Sequence, residues 1–161
     1  MSTRSQIGIY AEDVYGDKDI LEKWEVLLYR HSDGYPGIIS EKEDVSESGV
    51  IPDILPFVRE FMKKRGFDTE HLGACLIAYL KFWHCGGKIV NKKDKYYSAD
   101  RFIKVNGYET DPLCHGISKG FHGDIEYFYA ITPTGIRVYK VSDDAKGDMT
   151  FEPIESHNIK D

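Results

Sequence analysis

Trp24-Glu25-Val26-Leu27-Leu28-Tyr29-Arg30 is a run of strand-forming residues too apolar to alternate cleanly. A strand with one solvated face alternates apolar and polar side chains. This one does not, so it reads as a well-covered strand inside a sheet. Upstream, Gln6 to Ala11, with Ile7, Ile9 and Tyr10, is a second strand candidate. Asp17-Lys18-Asp19 between them reads as a polar connection. Downstream, Asp33-Gly34 and Tyr35-Pro36 break the run with turn chemistry. Residues 40–49 are acidic and serine-rich and read as a mobile loop.

Two helices follow. Asp53 can cap the first, with Pro56 in its first turn, where a missing N–H is tolerated. Ile54, Phe57, Val58 and Phe61 fall at i, i+3, i+4 and i+7, one apolar face. Lys63-Lys64-Arg65 closes this helix and Gly66 ends it. Asp68 can cap the second helix, and Phe67 with Leu72 matches a hydrophobic staple. Leu72, Leu76, Tyr79, Leu80 and Trp83 line one side of it. Ala74, Ile77, Ala78 and Phe82 spread apolar character around the cylinder, which predicts burial on more than one face. Cys85-Gly86-Gly87 terminates it.

Beyond the charged stretch Lys88 to Asp100, short strands are predicted at Arg101–Val105 and Leu113–Ser118. Asp124–Thr132 and Gly135–Val141 form a hairpin across Pro133-Thr134-Gly135. Residues 142–161 read as a polar C-terminal tail that frays, with Phe151 and Ile154 available to dock. Strands, two helices, then strands predict a single α+β domain over residues 1–161. The expected architecture is a mainly antiparallel sheet with two central helices packed on one face.

Composition bounds the function. A chain of 161 residues can bury a real core. The net charge of −6 leans against a phosphate-tracking nucleic-acid binder. Neither a signal-peptide core nor a membrane-spanning apolar run is present, which points to the cytoplasm and to reduced thiols. Cys75, Cys85 and Cys114 lack Cys-x-x-Cys spacing. Cys75 and Cys85 on one helix would be roughly 15 Å apart, too far for a disulfide.

Two matching tripeptides carry the chemistry. His31-Ser32-Asp33 and His122-Gly123-Asp124 each set an imidazole and a carboxylate at a strand margin. If the first two strands form a hairpin, and the Asp124 strand runs antiparallel to the Trp24 strand, one sheet edge collects these groups. It would hold Arg4, Arg30, His31, Asp33, His122, Asp124 and Glu126, with Tyr35 and Tyr127 as flat walls. Period-2 geometry puts Asp124 and Glu126 on one face and Ile125, Tyr127 and Tyr129 on the other. His31, Asp33, His122 and Asp124 could hold a divalent metal such as Mn²⁺, Fe²⁺ or Zn²⁺. Without metal, a carboxylate-oriented His could act as a base, and Arg4 or Arg30 could receive a phosphate or carboxylate. The plainer account is structural. Asp33-Gly34 is turn chemistry, and Arg30 can pair across strands with Glu126 for about 0.2–1 kcal/mol.

Weaker candidates have simpler explanations. His71 and Cys75, at i and i+4, make half a metal site, but Cys75 reads as a small core residue. Cys114-His115 is adjacent rather than spaced. His84 suits a helix end. Lys63-Lys64-Arg65 answers the helix dipole. Lys92, Lys93, Lys95, Tyr96 and Tyr97 mix cations with rings but read as a solvated loop. Ser2, exposed by Met removal, could serve as an N-terminal nucleophile. There is no Walker A loop, Gly-x-Ser-x-Gly elbow or Rossmann fingerprint, so no catalytic residue is assigned.

Four segments together resemble a family of small, functionally uncharacterised proteins of phages, archaea and archaeal viruses. They are Ser2-Thr3-Arg4-Ser5, the stretch Tyr29-Arg30-His31-Ser32-Asp33-Gly34-Tyr35-Pro36, Ile51-Pro52-Asp53-Ile54-Leu55, and His122-Gly123-Asp124-Ile125-Glu126-Tyr127-Phe128-Tyr129. The resemblance covers most of residues 2–141, in patches. It implies a mobile-element or accessory protein, acting within or against a host defence system, and transfers no catalytic residue. The combined expectation is a cytoplasmic accessory protein binding a small polar ligand or a protein partner at the His/Asp edge, without nucleic acid or membrane. The alternative is a metal-dependent hydrolase or phosphodiesterase using the same edge.

Overall fold

The computed structural model describes residues 3–38, 49–83, 102–106 and 108–160. The expected acidic loop, the Lys92 cluster, His84, Cys85 and Ser2 lie outside the described residues, residue 49 of the loop excepted. Element order is β1 (Ser5–Tyr10), α1 (Asp17–Glu22), β2 (Trp24–Arg30), α2 (Val50–Arg65), α3 (Thr69–Trp83), β3 (Ile103–Val105), β4 (Tyr108–Thr110), β5 (His115–Ile117), β6 (Tyr127–Thr132), β7 (Gly135–Asp143) and β8 (Met149–Asn158). Six strands form one sheet in the order β5-β2-β1-β6-β7-β8, and β3 pairs with β4 in a separate ribbon. Among the described residues only β1 and β6 pair in parallel, and every other neighbouring pair is antiparallel. The fold is α+β, as its pattern predicts.

All six residues of β1 are buried, because both faces of this central strand are covered. On one face Ile7, Ile9, Leu28, Tyr129, Ile131, Ile136 and Val138 pack against α2 and α3 through Ile54, Leu55, Val58, Leu72, Leu76 and Leu80. On the other, Tyr10, Leu27, Phe128, Ala130 and Tyr139 pack with Val14 and Ile20 near α1, with Ile125, and with Phe151 of β8. Gly8 belongs to this second face. A Cβ there would lie 2.7 Å from Phe128 Cζ and 2.8 Å from the Tyr10 ring, so two aromatics fill the space that glycine leaves.

α2 begins at Val50, four residues ahead of the turn that Asp53 would have opened as a cap. Tertiary bonds set the start. The Val50 and Ile51 amides donate to the Tyr35 and Pro36 carbonyls at 2.9 and 3.0 Å, which satisfies orphan donors that a cap would otherwise serve. Pro56 consequently lies inside the helix, on its exposed side. α3 starts as expected: Asp68 Oδ1 accepts the His71 amide at 3.0 Å. Its burial is one-sided, however. Ala74, Cys75, Ala78 and Phe82 are exposed.

Three elements escaped the sequence reading, the short strand β4 among them. The polar stretch at Asp17 is the short helix α1, which buries only Ile20. The polar tail is the ten-residue strand β8, paired along β7. Phe151 docks at 7% exposure, but Ile154 falls where the register shifts opposite Val138/Tyr139 and stays 44% exposed.

A candidate ligand surface at the end of the sheet

β1 and β6 run together and β2 runs against both, so the start of β1, the end of β2 and the start of β6 lie at one end of the sheet. Ser5 pairs with Arg30 on one side and with Tyr127 on the other. Side chains in register share a face. Ser5, Arg30 and Tyr127 therefore belong to the helix-covered face, while Arg4, Gln6, Tyr29 and Phe128 belong to the opposite one. The expected constellation is thus divided by the sheet itself.

On the helix face, Arg30 is 1% exposed and its Nη1 donates to Asp53 of α2 at 2.7 Å. Its Nε donates to the Ser32 carbonyl at 3.0 Å. Arg30 therefore pairs with α2 rather than with Glu126 across the strands. The Tyr129 hydroxyl donates to the Gly34 carbonyl at 2.6 Å, the Gly34 amide to the Thr3 carbonyl at 2.9 Å. Together with the Tyr35 and Pro36 carbonyls on α2, these bonds make residues 30–36 a junction joining β1, β2, β6 and α2. Asp33 takes the left-handed conformation (φ 55) that the turn requires, a region Asp tolerates better than most residues. It is exposed, and Tyr35 is half-buried. The Ser5 hydroxyl is fully enclosed and makes no hydrogen bond. Tyr127 faces this side too, with the Lys140 ammonium 5.6 Å from its ring centre.

The opposite face holds the remaining groups. Arg4 Nη1 donates to Asp124 at 2.7 Å, with both side chains substantially exposed. The Tyr29 ring stacks on His122, centroids 4.4 Å apart and planes 17° from parallel. The Tyr29 hydroxyl lies 3.1 Å from His31 Nδ1. Burial raises the Tyr29 phenol, and the Asp124 carboxylate raises it further against the opposing Arg4 charge. The phenol O–H donates to Nδ1 when His31 carries its proton on Nε2, and accepts from Nδ1–H in the other tautomer. Tyr29, absent from the expected set, is the flat wall here, whereas Tyr127 lies on the helix-covered face.

Gln6, also absent from that set, holds the arrangement from beneath. It is fully buried. Its amide donates to Ser118 Oγ at 2.9 Å and to the Gly120 carbonyl at 3.0 Å, while its Oε1 accepts the His122 amide at 2.9 Å. Residues 118–122 are thereby fastened across the sheet, and His122 is set over Tyr29. β6 begins at Tyr127 rather than Asp124. Ile125 accordingly packs with Phe128 on this face, not with Tyr129. Glu126 is exposed, its backbone amide donating to the Arg4 carbonyl at 2.9 Å.

The four residues expected to hold a metal do not assemble as ligands. Asp124 faces Arg4, His31 Nδ1 faces Tyr29, His122 lies flat on a ring, and Asp33 sits in the turn. Among the described residues no three His, Cys, Asp or Glu side chains are placed to hold a metal ion. Nor does any described helix have the length and apolar character to cross a membrane. The chain matches no protein-family model, no curated protein and no solved structure.

Proposed function

We propose that this chain is a binding protein whose working surface is the polar sheet end formed by Arg4, Tyr29, His31, His122 and Asp124. The observation that carries the reading is the Tyr29–His122 stack beside the Arg4–Asp124 pair, three distant chain segments brought to one accessible corner. The Arg4 guanidinium is the strong donor there, and the His31 and His122 rings add nitrogens that can donate or accept. Such a set suits a small polar ligand rich in acceptor oxygens, with a phosphate or carboxylate displacing Asp124 from Arg4. The stacked rings supply a flat, amphipathic side wall. An accessory role in a mobile-element or host-defence setting rests on the family resemblance of the two His-containing motifs. The alternative, a metal-dependent hydrolase, would need His31, Asp33, His122 and Asp124 in one cleft, and among the described residues no three metal-ligating side chains come together.

The test is a thermal-shift and calorimetric screen of the full chain against inorganic phosphate, citrate and nucleoside mono-, di- and triphosphates. A ligand at 100 times its Kd should stabilise the fold by about 2.7 kcal/mol. Arg4→Ala, at a partly exposed position, and His122→Ala, at an exposed one, should abolish that shift while leaving the ligand-free midpoint nearly unchanged. If every compound leaves the midpoint in place, or if the variants respond as the parent does, this surface is not a small-ligand site. A protein partner that protects Arg4 and His122 would then be the surviving use of the corner.

A further inference from the structure

The side of α3 turned away from the sheet carries two metal-ligating groups that packing does not explain. Leu72, Leu76 and Leu80 form the buried face. His71 and Cys75 lie on the other side, and both are exposed. Cysteine is among the most buried residue types, so a role as a small core residue does not account for this one. At i and i+4 their Cβ atoms are about 5–6 Å apart. Helical side chains tilt toward the N-terminus, which leans Cys75 back over the turn that holds His71.

His71 is also oriented. Its Nδ1 lies 2.9 Å from Asp68 Oδ2, and its backbone amide donates to Asp68 Oδ1 at 3.0 Å. Arg65 donates to the same carboxylate at 3.1 Å. A carboxylate on Nδ1 places the proton there and leaves Nε2 with its lone pair outward. This is the arrangement in which an outer carboxylate fixes the tautomer and raises the basicity of a ligating imidazole. The ring borders an open depression also lined by Ala11, Phe67 and Glu70. That depression is at the opposite end of β1 from Arg4, so nothing here depends on the polar sheet end.

We infer that His71 Nε2 and the Cys75 thiolate form a two-ligand clip for a thiophilic divalent cation, Zn²⁺ by its chemistry, with Asp68 positioning the imidazole. Two corners of a tetrahedral ion would be left to water or to a donor supplied by a partner. Binding replaces the Cys75 S–H proton with the metal and releases that proton to solvent, so affinity rises with pH.

The experiment uses the full chain with Zn²⁺ alone as the probe. Iodoacetamide labelling of Cys75, followed by peptide mass mapping, should slow markedly at saturating Zn²⁺, and His71→Ala should remove that protection. Asp68→Asn, which retains the helix cap, should weaken Zn²⁺ binding about 10–100-fold. Co²⁺ should give a thiolate-to-cobalt charge-transfer absorption that Cys75→Ser eliminates. Equal labelling rates with and without Zn²⁺, or undiminished protection in His71→Ala, would overturn the clip. Because both groups are exposed, neither variant should threaten the fold, and a matched circular-dichroism spectrum checks that directly.

Discussion

Replacing Asp53 with Ala should cost far more than its exposure suggests. Asp53 is only partly covered, but its partner Arg30 is 1% exposed and held at 2.7 Å. Removing the carboxylate leaves a guanidinium in the core with its Ser32 contact but without that counter-charge. Breaking one side of a buried pair costs about 3–5 kcal/mol, and the partial exposure of Asp53 puts this case near about 3 kcal/mol. For a chain of this size that lowers Tm by about 6–12 °C. Arg4→Ala and Asp124→Ala break an equally short pair in solvent, where about 0–1 kcal/mol is at stake. Urea denaturation of the three variants decides the matter, with midpoints compared at unchanged m-value. The Asp53→Ala loss should persist in high salt, whereas the Arg4–Asp124 contribution should be screened away. Tyr79 offers a second readout. Burial raises its phenol first and the Asp53 charge adds to it, so its titration should move down in Asp53→Ala. A loss below about 1 kcal/mol, or one that salt abolishes, would refute the account of Arg30 as a buried charge dependent on α2.

Gln6→Leu leaves three polar groups of residues 118–122 without their partner and should cost about 2–4 kcal/mol. Hydrogen exchange at the His122 amide should accelerate more than at Phe128; equal protection of both would contradict the role of Gln6. Gly8→Ala should destabilise by about 1–3 kcal/mol, because the new methyl collides with Phe128 and Tyr10. Tyr10 and Tyr129 are both pushed well above their usual value, chiefly by burial. Their contribution is complete below the unfolded phenol's pKa of about 10 and declines as pH rises above it toward the folded value. The unfolding midpoint should therefore fall on the alkaline side, and Tyr129→Phe should flatten that fall.

The readable elements were those whose burial leaves a pattern. β2 emerges from Trp24 to Arg30 because both its faces are covered, and the hairpin of β6 and β7 is announced by its turn. α3 is legible at its start from Asp68, but its outer face misleads, since Ala74, Ala78 and Phe82 are apolar yet exposed. α1 is too short for periodicity to register, and its one core residue, Ile20, gives no repeat. β8 is held by backbone bonds along a sheet edge, where side chains are free to be polar. The corner was reachable from strand directions alone. Which face each group takes was not, because β1 comes between β2 and β6 and its register decides it. Gln6 and Tyr29 were overlooked for that reason: in the chain they are ordinary strand residues, and only the cross-strand neighbours give them their roles.

The parallel pairing of β1 with β6 bears on how the chain is made. Ser5 meets Tyr127 in the finished sheet, so β1 leaves the ribosome well ahead of the strand it pairs with. At about 5–20 residues per second that delay is roughly 6–25 s. During it β1 has β2 on one flank and a bare row of amides and carbonyls on the other. Closing so large a loop is entropically uphill and slow. The centre of the sheet, and the corner where Arg4 meets Asp124, are therefore completed only after β6 has emerged, and nascent chains interrupted before residue 127 expose a sticky ribbon suited to chaperone capture.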